Sequence, residues 1–175
     1  MTRSLAPALV ALSLLLTGAA DCELDVVADP GFQFWCGEEL CEWDRTEGNI
    51  ARVPTWHDHD YAVELLGSPV ELSQPFTTSV YGCILIELTA DAEPEALVTL
   101  AIDQDVDGVA EWVAAVDQRG FQRMSWRLDV EVSGDGTDTH PASRMIIRKD
   151  GEGRAVLSQL RVSKRCDGRP EFNEL

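Results

Sequence analysis

Short segments whose hydrophobicity alternates with a period of two recur along this chain, separated by turn residues. In MSWRLDVEV, Trp126 and Leu128 alternate with Ser125 and Arg127. Other alternating or short apolar segments are YAVELLG, CILIELTA, ALVTLAID, AEWVAAVD, SRMIIRKD and AVLSQLRVS. Asp–Gly pairs in DVDG, SGDGTD and KDGEG are strong turn signals, because both residues tolerate positive φ. Strands of this kind, spaced about 8–12 residues apart, predict an all-β sandwich or barrel.

The N-terminus has the layout of a bacterial secretion signal. Arg3 precedes an apolar run at residues 5–16 and small residues at 18–20. The run is shorter than the roughly 20 apolar residues that a membrane span needs. We therefore expect a signal peptide at residues 1–21 and a single β-sandwich domain at residues 22–175. An ordinary buried N-terminal helix is the alternative.

Cys22 raises a second possibility for how this signal is processed. The segment AADC partly matches a lipobox, whose last residue is a lipidated cysteine. Ala19 stands where Leu is usual, and Asp21 stands where Gly or Ala is usual. Lipidation at Cys22 would tether the protein to an envelope membrane, whereas cleavage after Ala20 would give a soluble chain that starts at Asp21. We expect an exported protein, in the outer membrane or cell envelope or outside the cell.

The five cysteines of the chain leave one unpaired if the protein is exported. If Cys22 carries a lipid, four remain for pairing in an oxidising compartment. Cys36 and Cys41 are close in CGEELC, where a glycine helps the turn, so we predict a disulfide between them. Cys83 and Cys166 are then the second pair. Alternatively, Cys22 pairs with Cys166 and Cys83 is a buried thiol.

The chain carries a formal net charge of −17, from 31 acidic and 14 basic residues. Such a charge argues against a nucleic-acid partner, because the phosphate backbone would be repelled. It also argues against binding to a membrane surface through basic residues. A strongly acidic protein favours solubility, cation binding or neutral partners. The acids are spread along the chain, so a solvated surface is the simplest interpretation.

The segment DQDVDG resembles the first half of a calcium-binding loop. Asp103, Asp105 and Asp107 occupy positions i, i+2 and i+4 and are followed by a glycine. The twelfth position is Ala114, where a bidentate Glu is required, and Glu111 stands at the ninth. We predict a β-hairpin with an acidic tip, and weak calcium binding by the three aspartates is the alternative. No other cofactor is expected.

The segment TWHDHDYAVEL places histidines and aspartates between a Trp and a Tyr. In an extended chain, His57 and His59 project to one side, and Asp58 and Asp60 project to the other. Two histidines could ligate zinc, but a zinc site needs a third or fourth ligand. His140 lies in a turn-rich segment that nothing in the sequence places nearby. A plain polar loop is the first interpretation and a ligand-binding rim is the second.

As a rim, this stretch would combine aromatic rings for stacking on sugars with polar side chains for hydrogen bonds. The predicted ligand-binding residues are Trp43, Trp56, His57, Asp58, His59 and Tyr61. The alternative is that tryptophans fill the core, as we expect for Trp35, Trp112 and Trp126, and that Trp43 or Trp56 joins them there.

Catalysis is not expected from this sequence. The chain has many acidic residues, but none lies in a recognisable glycosidase sequence motif. It has no Gly-x-Ser-x-Gly segment. The apolar neighbours of Cys83 indicate an inert thiol.

The order of four segments in this chain resembles that in galactose-binding-like jelly rolls, which include many bacterial carbohydrate-binding modules. The segments are DPGFQFW, WDRTEGNIARVPTW, YAVELLGSPVELSQPF and GRAVLSQLRVS. This resemblance covers nearly the whole mature chain. It implies a jelly-roll β-sandwich that binds a carbohydrate or another surface ligand without catalysis. In that fold an early acidic residue and an Asp of the last strand often hold calcium. Gln33, Ser158 and Gln159 stand there in this chain, so calcium at that position is not expected.

Two other functions stay open at this point. The first is a structural or adhesive acidic envelope protein with weak calcium binding in its loops. The second is a hydrolase, which would require a cleft that holds paired carboxylates.

Overall fold

The computed structural model describes residues 27–55, 60–77, 83–104, 106–129 and 142–163. In these ranges no helix has the length and apolar character to cross a bilayer. The same ranges contain one 3-10 turn, Pro94–Ala96, and ten strands. The strands are β1 (Trp35–Cys36), β2 (Glu39–Leu40), β3 (Asp44–Pro54), β4 (Tyr61–Thr77), β5 (Cys83–Ala92), β6 (Val98–Asp103), β7 (Trp112–Val116), β8 (Gln122–Asp129), β9 (Ala142–Lys149) and β10 (Ala155–Ser163).

The long strand β4 takes part in two groups of antiparallel strands. Its first half lies between β3 and β10, and β5 and β8 continue this group, which we call sheet I. Its second half pairs with β9, and β6 and β7 continue this group, which we call sheet II. Gly67, near the middle of β4, has a φ of 77°, a conformation that glycine adopts without steric cost. The predicted all-β jelly-roll sandwich is confirmed.

Alternate residues of the strands point into the core. In β5 the inward residues are Ile84, Ile86 and Leu88, which are fully buried or nearly so. Their register partners in β8 include Trp126 and Leu128, which pack against the core, while the residues between them are exposed. The alternation expected for this segment is therefore confirmed.

Two tryptophans lie on the outermost strands of the two sheets. Trp112 of β7 and Trp126 of β8 make an edge-to-face contact, with ring centroids 6.0 Å apart. Such aromatic pairs contribute about 0.5–1.5 kcal/mol beyond the area they bury. Both rings are partly buried and pack against the core, as does Trp35. The expectation that these tryptophans contribute to the core is confirmed.

Residues 27–34 cover one end of the core and bury a tryptophan that the sequence suggested for ligand binding. Phe32 is fully buried, and its ring centroid lies 5.2 Å from that of Trp43. The side chain of Trp43 is only 4% exposed, and its indole N–H points at the carbonyl of Asp29. Trp43 is therefore a core residue that cannot present its face to a sugar, and the prediction is wrong for this residue.

The disulfide Cys36–Cys41 is confirmed, with Cα atoms 5.2 Å apart, and it closes the short β1–β2 hairpin. Arg45 hydrogen-bonds Glu39 of the same hairpin, and this bond lowers the pKa of the Glu39 carboxyl. The side chain of Cys83 and residue Cys166 lie outside the described residues. So do residues 1–26, and the second disulfide, the signal peptide and the lipid at Cys22 stay predictions.

Candidate functional site

The predicted ligand-binding loop is the connection between β3 and β4. The backbone N–H of Thr55 donates to the carbonyl of Asp60 at 3.0 Å, which closes the neck of this hairpin. The four residues between them lie outside the described residues, so their role in binding stays a prediction. They are Trp56, His57, Asp58 and His59.

Tyr61, the first residue of β4, already has one face of its ring covered. The guanidinium carbon of Arg52 lies 3.4 Å from the centroid of the Tyr61 ring. This cation–π contact is worth about 0.5–1 kcal/mol at an exposed site. Because Arg52 occupies that face, a sugar cannot stack there. The stacked pair instead presents guanidinium N–H donors beside the hairpin neck.

Gln33 ties the N-terminal segment to the start of β4. Its side-chain amide donates to the carbonyl of Tyr61 at 2.6 Å and accepts from the N–H of Tyr61 at 3.0 Å. It also donates to the carbonyl of Gly31 at 2.6 Å. Both groups of the amide are thereby satisfied, and the bonds fix residues 31–34 against the β3–β4 hairpin.

Phe34, the residue next to Gln33, is an exposed aromatic that the sequence analysis did not single out. Its side chain is 62% exposed, whereas Phe32, two residues earlier, is fully buried. The Asp29 carboxylate accepts the backbone N–H groups of Gln33 and Phe34, at 2.7 and 3.0 Å, and so holds this turn. Phe34 follows Gln33, whose amide is bonded to the backbone of Tyr61, and we call Phe34, Arg52 and Tyr61 the aromatic rim.

The second candidate site is the turn between β6 and β7, where the predicted β-hairpin with an acidic tip is confirmed. Asp103 ends β6 and is only 1% exposed. Its carboxylate accepts the backbone N–H of Asp107 at 3.2 Å and that of Gly108 at 3.0 Å. Val106 and Gly108 both have positive φ, which lets the loop fold back over this carboxylate.

Three carboxylates of this hairpin offer oxygens within 4.8 Å of one another: Asp103, Asp107 and Glu111. Asp107 also accepts the N–H of Val109 at 2.8 Å, and Glu111 accepts that of Gln104 at 2.6 Å. Oxygens of this kind are the ligands that calcium prefers. The cluster includes two of the three predicted ligands, and the third, at position 105, lies outside the described residues. Glu111, at the ninth position of the calcium-loop pattern, completes the cluster.

The sequence matches no protein-family model and no curated protein. Its fold is similar to that of the carbohydrate-binding module TmCBM61 in complex with β-1,4-galactotriose (15% identity, 81% of this chain and 99% of that chain, TM-score 0.57). It is also similar to a family 16 carbohydrate-binding module (6% identity, 81% and 99%, TM-score 0.57). A third similar structure is an arabinose-bound α-L-arabinofuranosidase, of which only 27% is covered (11% identity, 83% of this chain, TM-score 0.56). The chain therefore has the jelly-roll β-sandwich fold found in carbohydrate-binding modules.

Proposed function

We propose that this protein is an exported, non-catalytic module that binds carbohydrate at the aromatic rim. The observation that carries the proposal is the exposed ring of Phe34, whose neighbour in the chain, Gln33, is hydrogen-bonded to the backbone of Tyr61 at the start of β4. Two of the similar structures described above are carbohydrate-binding modules, and one of them holds a galactotriose. Fold similarity alone does not fix function, so the proposal depends on the rim and its test.

The rim combines the two kinds of contact that a sugar needs. The exposed ring of Phe34 offers a flat apolar surface for the C–H face of a sugar ring, while Arg52 offers N–H donors for hydroxyl oxygens. Tyr61 supports the Arg52 guanidinium instead of stacking on the ligand with that face. Trp56 and His57 follow directly after the hairpin neck, and we propose that they extend the same surface.

Replacing Phe34 with Ala, or Trp56 and His57 together with Ala, is expected to abolish glycan binding while the fold is kept. Aromatic anchors at the centre of an interface commonly contribute about 2 kcal/mol or more, which is roughly a 30-fold change in Kd. The measurement is a glycan array with the full-chain protein in chelating buffer, followed by titration calorimetry with the best neutral glycan.

The matched control is Val113→Ala, which truncates an exposed apolar side chain of sheet II. It should bind as the unmodified protein does. Unchanged affinity in both rim variants would show that the rim is not the site. Release of reducing ends from any bound glycan would show instead that the protein is a hydrolase.

A second proposal concerns the acidic hairpin: we propose that Asp103, Asp105, Asp107 and Glu111 bind calcium weakly. The proximity of three of these carboxylates favours it. A structural or adhesive role would require calcium binding without any glycan binding. Arg144 pairs with Asp103 in the register of β6 and β9, and its charge would keep the affinity low.

Calcium is accordingly expected to raise the melting temperature of the protein relative to chelator. At ten times Kd, a single ion would stabilise the fold by about 1.4 kcal/mol, or roughly 3–6 °C for a domain of this size. The double variant Asp107→Asn with Glu111→Gln should lose this shift. Glu152→Gln, in an exposed turn elsewhere, should keep it. If calcium raised the melting temperature of the double variant and of Glu152→Gln equally, the hairpin would be ruled out as the site.

A further inference from the structure

Sheet II ends at β7, whose outer edge has no neighbouring strand among the described residues. Strand β7 pairs with β6 in a register without irregularities, from Trp112 to Val116. Its sequence, WVAAV, contains no charged residue and no proline. The outer edge of such a strand presents backbone N–H and C=O groups that another strand can bind.

Other outer strands of the described part of the chain carry features that discourage pairing. Strand β8 has Arg123, Arg127 and Asp129 along its length. Strand β3 has four charged residues and two irregularities in its register with β4. In β10 the N–H of Leu160 donates to the carbonyl of Pro30, so the N-terminal segment covers part of that edge. Charges, bulges and covering segments are the usual protection of edge strands, and β7 has none of them.

The β6–β7 hairpin also exposes apolar side chains. Six large apolar side chains are exposed in the described residues, and three of them lie on this hairpin: Val106, Val109 and Val113. Val113, at the middle of β7 residues 112–115, is 58% exposed, and Ala115 is exposed on the same face. The neighbour of Val113 in β6 is Ala101, which is also uncharged. The edge therefore offers apolar side chains together with free backbone groups.

We propose that β7 pairs with β7 of a second copy of this chain, antiparallel and centred on Val113, so that sheet II continues across a twofold axis. Val113 of one copy then lies opposite Val113 of the other. A contact of this kind uses the same surface on both copies and closes as a dimer. The inference does not depend on glycan binding, because the aromatic rim lies on the N-terminal segment and the β3–β4 hairpin.

The acids that flank β7 favour this register over the neighbouring one. Glu111 precedes the strand and Asp117 follows it, and both are exposed. Pairing centred on Val113 sets Glu111 of each copy opposite Ala115 of the other. Asp117 likewise lies opposite an uncharged residue. Pairing centred on Ala114 would instead set Glu111 opposite Asp117, and like charges directly opposite each other destabilise a strand pair.

The dimer is expected to be weak, because β7 has only five residues. Two strands of this length form an interface in the class below about 1,200 Å², which is typical of transient contacts. The net charge of −17 on each copy adds repulsion, although charges more than about 8 Å from the contact are largely screened at physiological salt. We therefore expect a Kd on the order of 100 μM.

Analytical ultracentrifugation of the full-chain protein, from about 1 μM to about 1 mM, measures this equilibrium. Two lysine substitutions add the same charge to the same face of β7, two residues apart, and should have opposite effects. Val113→Lys sets two lysines opposite each other and should leave the protein monomeric at every concentration. Ala115→Lys sets a lysine opposite Glu111 of the other copy, twice in each dimer, and should tighten the dimer about two- to tenfold.

Equal effects of the two lysines would overturn the proposal, because only the register centred on Val113 distinguishes them. A dimer that persists in Val113→Lys would place the contact elsewhere and would also overturn it. So would unmodified protein that stays monomeric at the highest concentration, the result expected if β7 binds an extended segment of a different protein. Urea unfolding checks that both variants are folded. Both should bind glycan as the unmodified protein does, so this proposal and the proposed function can fail separately.

Discussion

Gly151→Ala is expected to destabilise the domain by about 3 kcal/mol or more, at the upper end of what overpacking costs. A Cβ atom at this position would lie 1.9 Å from the carbonyl oxygen of Glu95 and 2.9 Å from the carbonyl carbon of Ala96. Both contacts are with backbone, so no side-chain rotation can relieve them. The 3-10 turn cannot simply withdraw, because the N–H of Gly151 donates to the Ala96 carbonyl at 2.9 Å.

The control for this clash is Gly31→Ala. Urea unfolding of both variants measures their free energies of unfolding. Neither glycine has a positive φ, so neither substitution carries the strain of a left-handed conformation. The three atoms nearest to a Cβ at position 31 all belong to the flexible Gln33 side chain, and the closest of them lies at 3.2 Å. We expect Gly31→Ala to cost less than about 1 kcal/mol. Similar costs for the two variants would mean that the turn at residues 94–96 moves aside easily.

Much of this architecture follows from local patterns in the sequence. The alternation of Trp126 and Leu128 with polar residues specifies which face of β8 is buried, and Asp–Gly pairs mark the turns. The disulfide Cys36–Cys41 is equally local, because its two cysteines are five residues apart and a glycine between them helps the chain to turn. Each of these predictions needs only residues close together in the chain.

The features that were missed depend on packing between distant segments. Phe32 and Phe34 have the same local pattern, and only the turn held by Asp29 decides which of them is buried. Trp43 is removed from the surface by its contact with Phe32, which no periodicity reveals. The role of Gln33 depends on an amide that fits the backbone of Tyr61.

Lys149→Ala is expected to cost about 2–4 kcal/mol of unfolding free energy, a large effect for a lysine. Lys149 is only 1% exposed and follows Met145 and Ile147 along the inward face of β9. Its ammonium group donates to the carbonyl of Gly67, near the midpoint of β4. Alanine would leave a cavity where the side-chain methylenes pack and would remove the donor from this carbonyl.

Lys149→Met separates these two contributions, because methionine is similar in length and flexible enough to fill the same space. It loses the hydrogen bond to Gly67 but also removes the cost of burying a charge, so we expect a change within about 1.5 kcal/mol. Urea unfolding of both variants measures the difference. If Lys149→Met were as destabilising as Lys149→Ala, the hydrogen bond to Gly67 would be the dominant contribution. Lys149 would then act mainly by holding the midpoint of β4, where the strand passes from sheet I to sheet II.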